Sequence, residues 1–525
     1  MGIPFRVMAA IEEFPPLTTE ARRILQDGEL YEKSVALGCK VVNFHPYAMK
    51  VAHELPLVLA GKIMGHAKPP TGTPLRMYHN VLGYGPIGSS KLWAWRTLMG
   101  NTTAKPSPLS PYFTMLNTKP GLCSFAYPME IDSATIPMAI GSVTENSVVP
   151  SILGGNDFIV TEEAQTLLGG PRAEADLFAA MIRKIADTGK YTRALKGVSN
   201  LADRLEEAEL SAEGTEEGSP EARALARLRA NIQRAADKGT KLDLERGTIT
   251  IEVEASLYLA SAEWMTSTGA LMKFGDFNRY RILSWVPTAD QMKDAVLMSG
   301  AYPPLDFASG GLADRDALHS AWPQVFRLEL ERWHNFEIPD SEYYRRKKWI
   351  KELLDQVLQQ YPDLSKDELA QILNMRTASD EFFRTASQHA LLNQFSRAGG
   401  VDFNVPSRFV WDDEDFEFAL DRSLGEYIPS LLAISRTIKP RFSRGPPSSP
   451  PEEETLRILQ VVLQEQGAVE IKASAFYPIA TTRHPKHLAE RMIRLHLARL
   501  EAQGKVLRPR HGIITLPPAP KEGSP

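Results

Sequence analysis

Between Leu75 and Pro287, short apolar runs alternate with longer helix-forming stretches, and this alternation restricts the fold more than any other feature of the chain. YHNVLGY, DFIVTEEA, TITIEVEASLYLA and YRILSW have the length and the β-branched and aromatic content of strands. The segments between them are long enough for crossover helices, so residues 42–287 are expected to fold as an α/β domain. Ahead of it, residues 1–41 read as a helical lead-in. Behind it, residues 288–445 read as an all-helical lid that closes with FRTASQHALLNQFSRA and DDEDFEFALDRSL, an Asp/Glu cluster suited to a helix N-terminus. The stretch SRGPPSSPP cannot continue a helix, so residues 446–451 are expected to be a linker and 452–525 a separate C-terminal module. No internal repeat is evident.

Composition excludes several classes. With 525 residues, of which 43% are hydrophobic, the chain can build more than one buried core. The two cysteines, Cys39 and Cys123, stand apart and belong to no Cys/His cluster, which argues against a disulfide framework or a cysteine zinc site. No uncharged apolar stretch has the length of a membrane span, and the first residues lack the pattern of a secretory signal, so a cytoplasmic, membrane-free location is expected. A net charge of -4 gives no global basic signal, so nucleic-acid contact would have to come from local patches.

Inside the core, residues 201–242 run acidic and then basic around a Gly/Ser/Pro centre. This reads as a solvated helical hairpin set into a loop, either a bland charged insertion or a moving arm that contacts a partner.

The chemistry-bearing motif follows the first apolar run. In GPIGSSKL, a strand, a glycine turn at Gly85 and Gly88, then Ser89, Ser90 and Lys91 before a helix would set backbone N–H groups and one ammonium around bound phosphates. The general phosphate-loop pattern has glycine where Ser90 stands and a Mg²⁺-ligating hydroxyl where Leu92 stands. Read alone, the segment is equally an ordinary Gly-rich turn. At a suitable distance, DFIVTEEAQTLL is an apolar strand ending in Glu162 and Glu163, a pair that can hold a metal-bound water shell and polarise a water, or that can simply begin a helix at its positive end. FGDFNRYRILSW then places Arg279 and Arg281 just before another strand, where an arginine can stabilise charge on a neighbouring subunit's γ-phosphate or be an ordinary surface residue.

In this order the motifs resemble the AAA+ module of the minichromosome-maintenance (MCM) replicative helicases. NFHPYAMKVAHELPLVLAGKIMG is similar to that family's lead-in helix and PLRMYHNVLGYGPIGSSKL to its phosphate-loop strand, in which a small residue precedes the lysine, as Ser90 does here. IPMAIGSVTENSVVPSILGGNDFIVTEEA resembles its hairpin and acidic strand, and IRKIADTGKYTRALKG with GTITIEVEASLYLASAE its pre-sensor hairpin, here split by the charged insertion. MRTASDEFFRTASQHALLNQFSRA with DDEDFEFAL is similar to its helical lid.

The resemblance implies a P-loop AAA+ ATPase core using ATP and Mg²⁺, with Lys91 on the β/γ phosphates, Glu162 near the metal and Glu163 orienting water. Arg279 would act in trans, and Arg384 or Arg376 would be the second sensor. It further implies a homo-oligomeric ring, a hexamer in this family, whose Lys190, Arg193 and Lys196 track DNA phosphates in an ATP-driven helicase or translocase of DNA replication or mobile-element maintenance. A catalytically degenerate nucleotide-binding subunit and an AAA+ protein remodeller are the alternatives. The chain departs from the family at Leu92, at Glu162 in place of Asp, and at Ser261 or Glu263 where the first-sensor asparagine is expected. The family's N-terminal DNA-binding domain and its zinc site are not expected, because only residues 1–41 precede the module.

The C-terminal module reads as a winged helix: ETLRILQVVLQEQG, a short helix near 471–479, HPKHLAERMIRLHLARLEAQG and the ribbon KVLRPRHGIITL. Leu488, Met492, Leu495 and Leu500 are expected to face its core, leaving Arg483, Lys486, Arg491, Arg494 and Arg499 in solvent and Arg508 and Arg510 in the wing. From Glu452 onward 11 Lys/Arg face 8 Asp/Glu, an excess small enough to leave DNA contact and protein docking both open. His45, His53 and His66 are spaced too widely for a metal pair on one helical turn, and His484 to His487 suit a turn or cap. Trp93 and Trp95 read as packing residues, with adenine stacking the lesser option.

Overall fold

The computed structural model describes residues 17–70, 74–85, 91–117, 128–131, 136–161, 164, 172–213, 219–261, 279–285, 287–300, 311–328, 336–364, 368–369, 380–397, 409–433, 450–484, 490–502, 505–507 and 513–517. The chain divides into two compact units, Met1–Leu432 and Ala433–Pro525. The first is α/β.

Its centre is a five-stranded, all-parallel sheet. The strands are β3 (Val81–Tyr84), β4 (Met129–Glu130), β7 (Phe158–Thr161), β11 (Ser256–Ser261) and β12 (Arg281–Ser284), numbered with all the described strands of the chain. Their order across the sheet is β12-β3-β11-β7-β4. The strand that precedes the glycine loop therefore lies inside the sheet, and one strand separates it from the strand that precedes the two glutamates. Tyr84 is level with Ser261 on one side and Ser284 on the other, so the three strands end along one carboxyl edge.

The expected strand TITIEVEASLYLA is two strands in two different sheets. TITIE forms β10 (Thr248–Glu252), in which buried and partly exposed residues alternate. It pairs antiparallel with β8 (Lys190–Ala194) and with β9 (Thr240–Asp243). SLYLAS forms β11, whose described side chains are all buried. Alternating Thr/Ile suits a sheet with one wet face, and continuous apolar residues suit a strand covered on both faces.

The helix after the glycine loop, α4 (Lys91–Met99), covers one face of the sheet. Trp95 stacks on Tyr258 of β11 at 4.7 Å between centroids and meets Phe158 of β7 edge-on at 6.4 Å. On the helical side, α1 (Thr19–Asp27) and α2 (Leu30–Val41) pack against α11 (Gly311–Leu328), and α3 (Pro46–Met64) against α4 and α13 (Phe382–Leu392). The stretches read as a lead-in at 1–41 and a lid at 288–445 thus pack against each other. Apolar stripes on the first three helices need a partner, and the described helices after residue 288 supply it, so both ends belong to one layer within the first unit. The acidic cluster opens α15 (Asp413–Arg422): Asp412 is the N-cap, and Asp415 completes a reciprocal capping box.

Residues 201–242 form most of an antiparallel helical hairpin, α8 (Lys196–Ala212) and α9 (Pro220–Asp237), and the first helix begins before the charged run. Its root has a core of its own, with Leu201, Leu228 and Ala235 closing on Val148 of the β-ribbon β5 (Ser142–Thr144) and β6 (Ser147–Val149). Gly197 runs against the backbone of Val143, where any side chain would overlap the carbonyl.

The C-terminal unit contains α16 (Pro450–Glu465), β14 (Glu470–Lys472), α17 (Ala473–Arg483), α18 (Glu490–Ala502) and β15 (Ile513–Thr515), with β14 and β15 antiparallel. Its core is built from Ile458, Leu459, Val462, Phe476, Ile493, Leu497, Leu500 and Ile514. Of the expected inner face of α18, Leu500 is buried as expected, whereas Met492 and Leu495 are 39% and 41% exposed and Ile493 and Leu497 take their place. Both sets recur at helical spacing; the buried one also brings His496 within 2.9 Å of the Thr455 hydroxyl. Leu488 lies outside the described residues.

Candidate functional site

The carboxyl edge of β3 runs into the glycine loop. Gly85 and Lys91 are described; Gly88, Ser89 and Ser90 lie outside the described residues. Lys91 is the first residue of α4, and its Nζ donates to the backbone carbonyl of Gly85 at 3.0 Å. The buried ammonium thus spans the loop from its last residue to its first. That is a cation held at the mouth of a turn, next to a helix N-terminus, where a phosphate would be stabilised.

The loop's far end is fixed from below. Tyr258 donates its hydroxyl to the carbonyl of Lys91 at 3.1 Å, and the Tyr47 and Tyr258 hydroxyls share a hydrogen bond of 2.8 Å. Both phenols are fully buried, which pushes their pKa values up and keeps them neutral. Gly83 is the reason they fit: a Cβ there would overlap the Tyr47 hydroxyl and close on that of Tyr258. Neither tyrosine was anticipated from sequence, although a glycine inside an apolar strand is itself a sign of close approach.

Leu92, the second residue of the helix, is 4% exposed and packed in the core. Trp95 is likewise a packing residue, whereas Trp93, two residues earlier, is exposed. Glu162 and Glu163 lie outside the described residues, as do Glu263 and Arg376. Ser261 ends β11 on the carboxyl edge level with Tyr84. Thr161, the residue before the glutamates, is buried with no hydrogen-bond partner for its hydroxyl among the described residues.

The arginines assigned to a bound phosphate lie at the other end of the sheet. Arg279 Nε donates to Asp187 Oδ1 at 2.7 Å, on α7 (Arg172–Thr188). Arg384 donates to the carbonyl of Arg76 at 2.8 Å and pairs with Glu381. Arg76 in turn reaches the carbonyls of Ile185, Ala186, Val253 and Ala255, so this cluster lies beside the amino end of β11. Burial pulls Arg76 down to about 10, still a cation at neutral pH. The strands are parallel, so Arg279 and Arg384 stand at the edge opposite Gly85. Any contact either makes with a phosphate held at such a loop has to be with another copy's loop.

Arg281 is not available to a neighbour. Its side chain is buried, donating to Glu54 Oε2 at 3.1 Å, to the Tyr427 hydroxyl at 2.6 Å and to Thr385. Arg422 also pairs with Glu54, and Tyr427 donates to the same carboxylate at 2.9 Å. Burial by itself would raise the Glu54 pKa; the Arg422 and Arg281 charges outweigh it and hold the carboxylate below its ordinary value. His79, 3.8 Å from Glu54, is pushed well below its ordinary pKa by burial and then by Arg281 and Arg384, and is neutral.

The cations assigned to DNA divide into two groups. Lys190 is paired with Glu252 at 2.8 Å, Arg494 with Glu490 at 2.5 Å, Arg483 with Glu465 at 2.8 Å and Arg499 with Glu452 at 2.7 Å. Arg193, Lys196 and Arg491 make no ion pair among the described residues, and Lys486, Arg508 and Arg510 lie outside them. Among the described residues no group of three His, Cys, Asp or Glu side chains could hold a metal, and no helix is long and apolar enough to cross a membrane. His484 is the C-cap of α17, as its turn-like sequence suggested.

No protein-family model matches this chain, and no curated protein matches it.

Proposed function

We propose that this chain is a nucleoside-triphosphate-binding protein of the AAA+ kind, MCM-like in layout, acting as an ATP-driven DNA helicase or translocase in a homo-oligomeric ring. The observation that carries the proposal is Lys91 spanning the glycine loop to Gly85 at the carboxyl edge of an inner strand of a parallel sheet, one strand away from the strand that leads into Glu162 and Glu163. This arrangement supplies what a triphosphate requires: a cation and a helix N-terminus at the phosphates, with a route for carboxylates to the metal side. Lys91 would hold the β/γ phosphates, Glu162 the Mg²⁺ shell and Glu163 the attacking water, and ATP with Mg²⁺ would supply the phosphoryl chemistry. Arg279 and Arg384, at the opposite edge, favour action in trans. Arg193, Lys196 and Arg491 are the cations best placed by lack of an ion pair among the described residues to meet DNA phosphates, and the helix–strand–helix–helix–strand order of the C-terminal unit suits a winged helix.

Binding of a fluorescent ATP analogue and phosphate release, each with and without DNA, test this on size-fractionated protein. Lys91→Ala should abolish binding and Glu163→Gln should suppress release; phosphate release indifferent to both substitutions would defeat the proposal.

The burial of Leu92 favours a second reading, a subunit that binds nucleotide without turnover. The residues fit the phosphates, but at Leu92 the helix offers the metal no hydroxyl. Nucleotide retained stoichiometrically with no phosphate released would select it. A protein remodeller would instead show no salt-dependent DNA affinity.

A further inference from the structure

The α8/α9 hairpin carries opposite charge on its two outer faces. On α8, Asp203, Glu206 and Glu207 lie on the side away from the buried Val198 and Leu201, with Leu210 between them and Glu213 and 66% exposed. On α9, Arg223, Arg227, Arg234 and Lys238 follow one another at steps of four, seven and four residues, one stripe of the helix, away from the buried Leu228 and Ala235. Exposed Ala226 and Ala230 lie alongside that stripe. Within the hairpin, Arg229–Glu209 at 2.7 Å joins the two helices and Arg204–Glu207 at 2.9 Å is local to α8. Asp203, Glu206, Arg223, Arg227, Arg234 and Lys238 make no ion pair among the described residues.

We propose that this hairpin is a self-complementary docking arm, the acidic face of α8 in one copy seating on the basic face of α9 in a second copy of this chain. The charge balance decides the occupant. Residues 196–238 carry seven Lys/Arg and nine Asp/Glu, so a nucleic acid drawn to the basic stripe would be repelled by the adjacent acidic one. A second copy offers each stripe its complement, and Leu210 meets the alanines that flank the arginines. The two surfaces differ, so a single contact leaves one face of each copy open, and the arrangement propagates to a closed ring or a pairwise swap. Because the arm is rooted on β8 and on the ribbon at Val148, its docking fixes the spacing of neighbouring β8 strands. Charge complementarity carries the proposal, which does not depend on nucleotide binding or turnover.

The test is mass by light scattering on the full chain without nucleotide, at low and high salt. One variant combines Asp203→Lys, Glu206→Lys and Glu207→Lys; the other combines Arg223→Glu, Arg227→Glu and Arg234→Glu. Wild type should assemble at low salt and dissociate as salt rises, each variant alone should associate about tenfold more weakly or worse, and an equimolar mixture should recover the assembly. These positions are exposed, and Asp203→Asn, Glu206→Gln and Glu207→Gln provide a milder set read by the same measurement. The proposal is overturned by a monomeric wild type at low salt, by variants that keep the wild-type mass, or by a mixture that fails to recover it. Assembly that appears only with added duplex, and is lost in the arginine variant alone, would overturn it in favour of nucleic acid.

Discussion

The Tyr258 hydroxyl donates to the carbonyl oxygen of Lys91, so a residue of β11 holds the first turn of the helix that follows the glycine loop. Tyr258→Phe should lower stability by about 1–3 kcal/mol, because it removes that bond and leaves the Tyr47 hydroxyl buried without its partner. Tyr47→Phe with Tyr258→Phe should cost less than the two single effects added. Thermal and urea unfolding of the three variants measure this, and strict additivity would show that the two hydroxyls act separately.

Among the described residues, Glu54 is the one carboxylate bonded to both Arg281 and Arg422. Glu54→Gln should destabilise by about 3–5 kcal/mol, since the buried Arg422 loses its counter-charge and Arg281 keeps only Glu381, at 3.6 Å. Because its folded pKa is depressed, the Glu54 contribution is complete above its unfolded value of 4.5 and is lost as pH falls through the lower, folded value. Unfolding midpoints of wild type and variant should therefore converge at strongly acid pH.

His45, His53, His79 and His319 are all held below their ordinary pKa by burial. The unfolded chain binds protons at these positions first, so stability should fall as pH drops through 6.5, the value in the unfolded chain. His79 alone contributes about 1.4 kcal/mol per pH unit while it stays neutral in the fold. Urea midpoints at neutral and mildly acid pH measure the decline, and a flat profile would contradict it.

Leu92→Thr should cost about 1–3 kcal/mol, because a packed leucine is replaced by a smaller, hydroxylated side chain. If that position turns toward a bound metal, Mg²⁺-ATP should recover part of the loss and phosphate release should rise. Melting with and without Mg²⁺-ATP separates the two effects.

In the C-terminal unit, Leu497→Ala should cost about 2–5 kcal/mol, whereas Met492→Lys with Leu495→Lys should change stability by under about 1 kcal/mol. Chemical unfolding of the two variants distinguishes the inner face from the outer one.

Much of the first unit was legible because its signals are local. The runs containing VLGY, FIVT, SLYLA and RILS became inner and edge strands of one parallel sheet, and the acidic cluster at Asp412–Asp415 opens a helix as its composition suggested. Met129–Glu130 was not legible: a two-residue strand has no period to read, and only its pairing with Ile159 and Val160 defines it. The packing of the early helices on the late ones was not legible for a related reason. Thr19–Asp27 and Gly311–Leu328 pack together from opposite ends of the unit, and no window of sequence contains both. On α18, two apolar rows compete at the same helical period, so contact with Thr455 and Phe476, not periodicity, selects the inner one. At the site, Gly85 and Lys91 followed from spacing, whereas the Tyr47–Tyr258–Lys91 chain required the fold to bring three distant segments together. The partners of Arg279, Arg384 and Lys190 likewise depend on tertiary contacts.

The Glu54 cluster has a mechanical consequence. It fastens α3, β12, α13 and the π-helical segment Ser423–Tyr427 through one buried carboxylate and two guanidiniums, so lifting the helices that carry Thr385 and Tyr427 off the sheet would pull those charges apart. Sheet edge and helical layer are thus tied to each other through a single buried knot of charge.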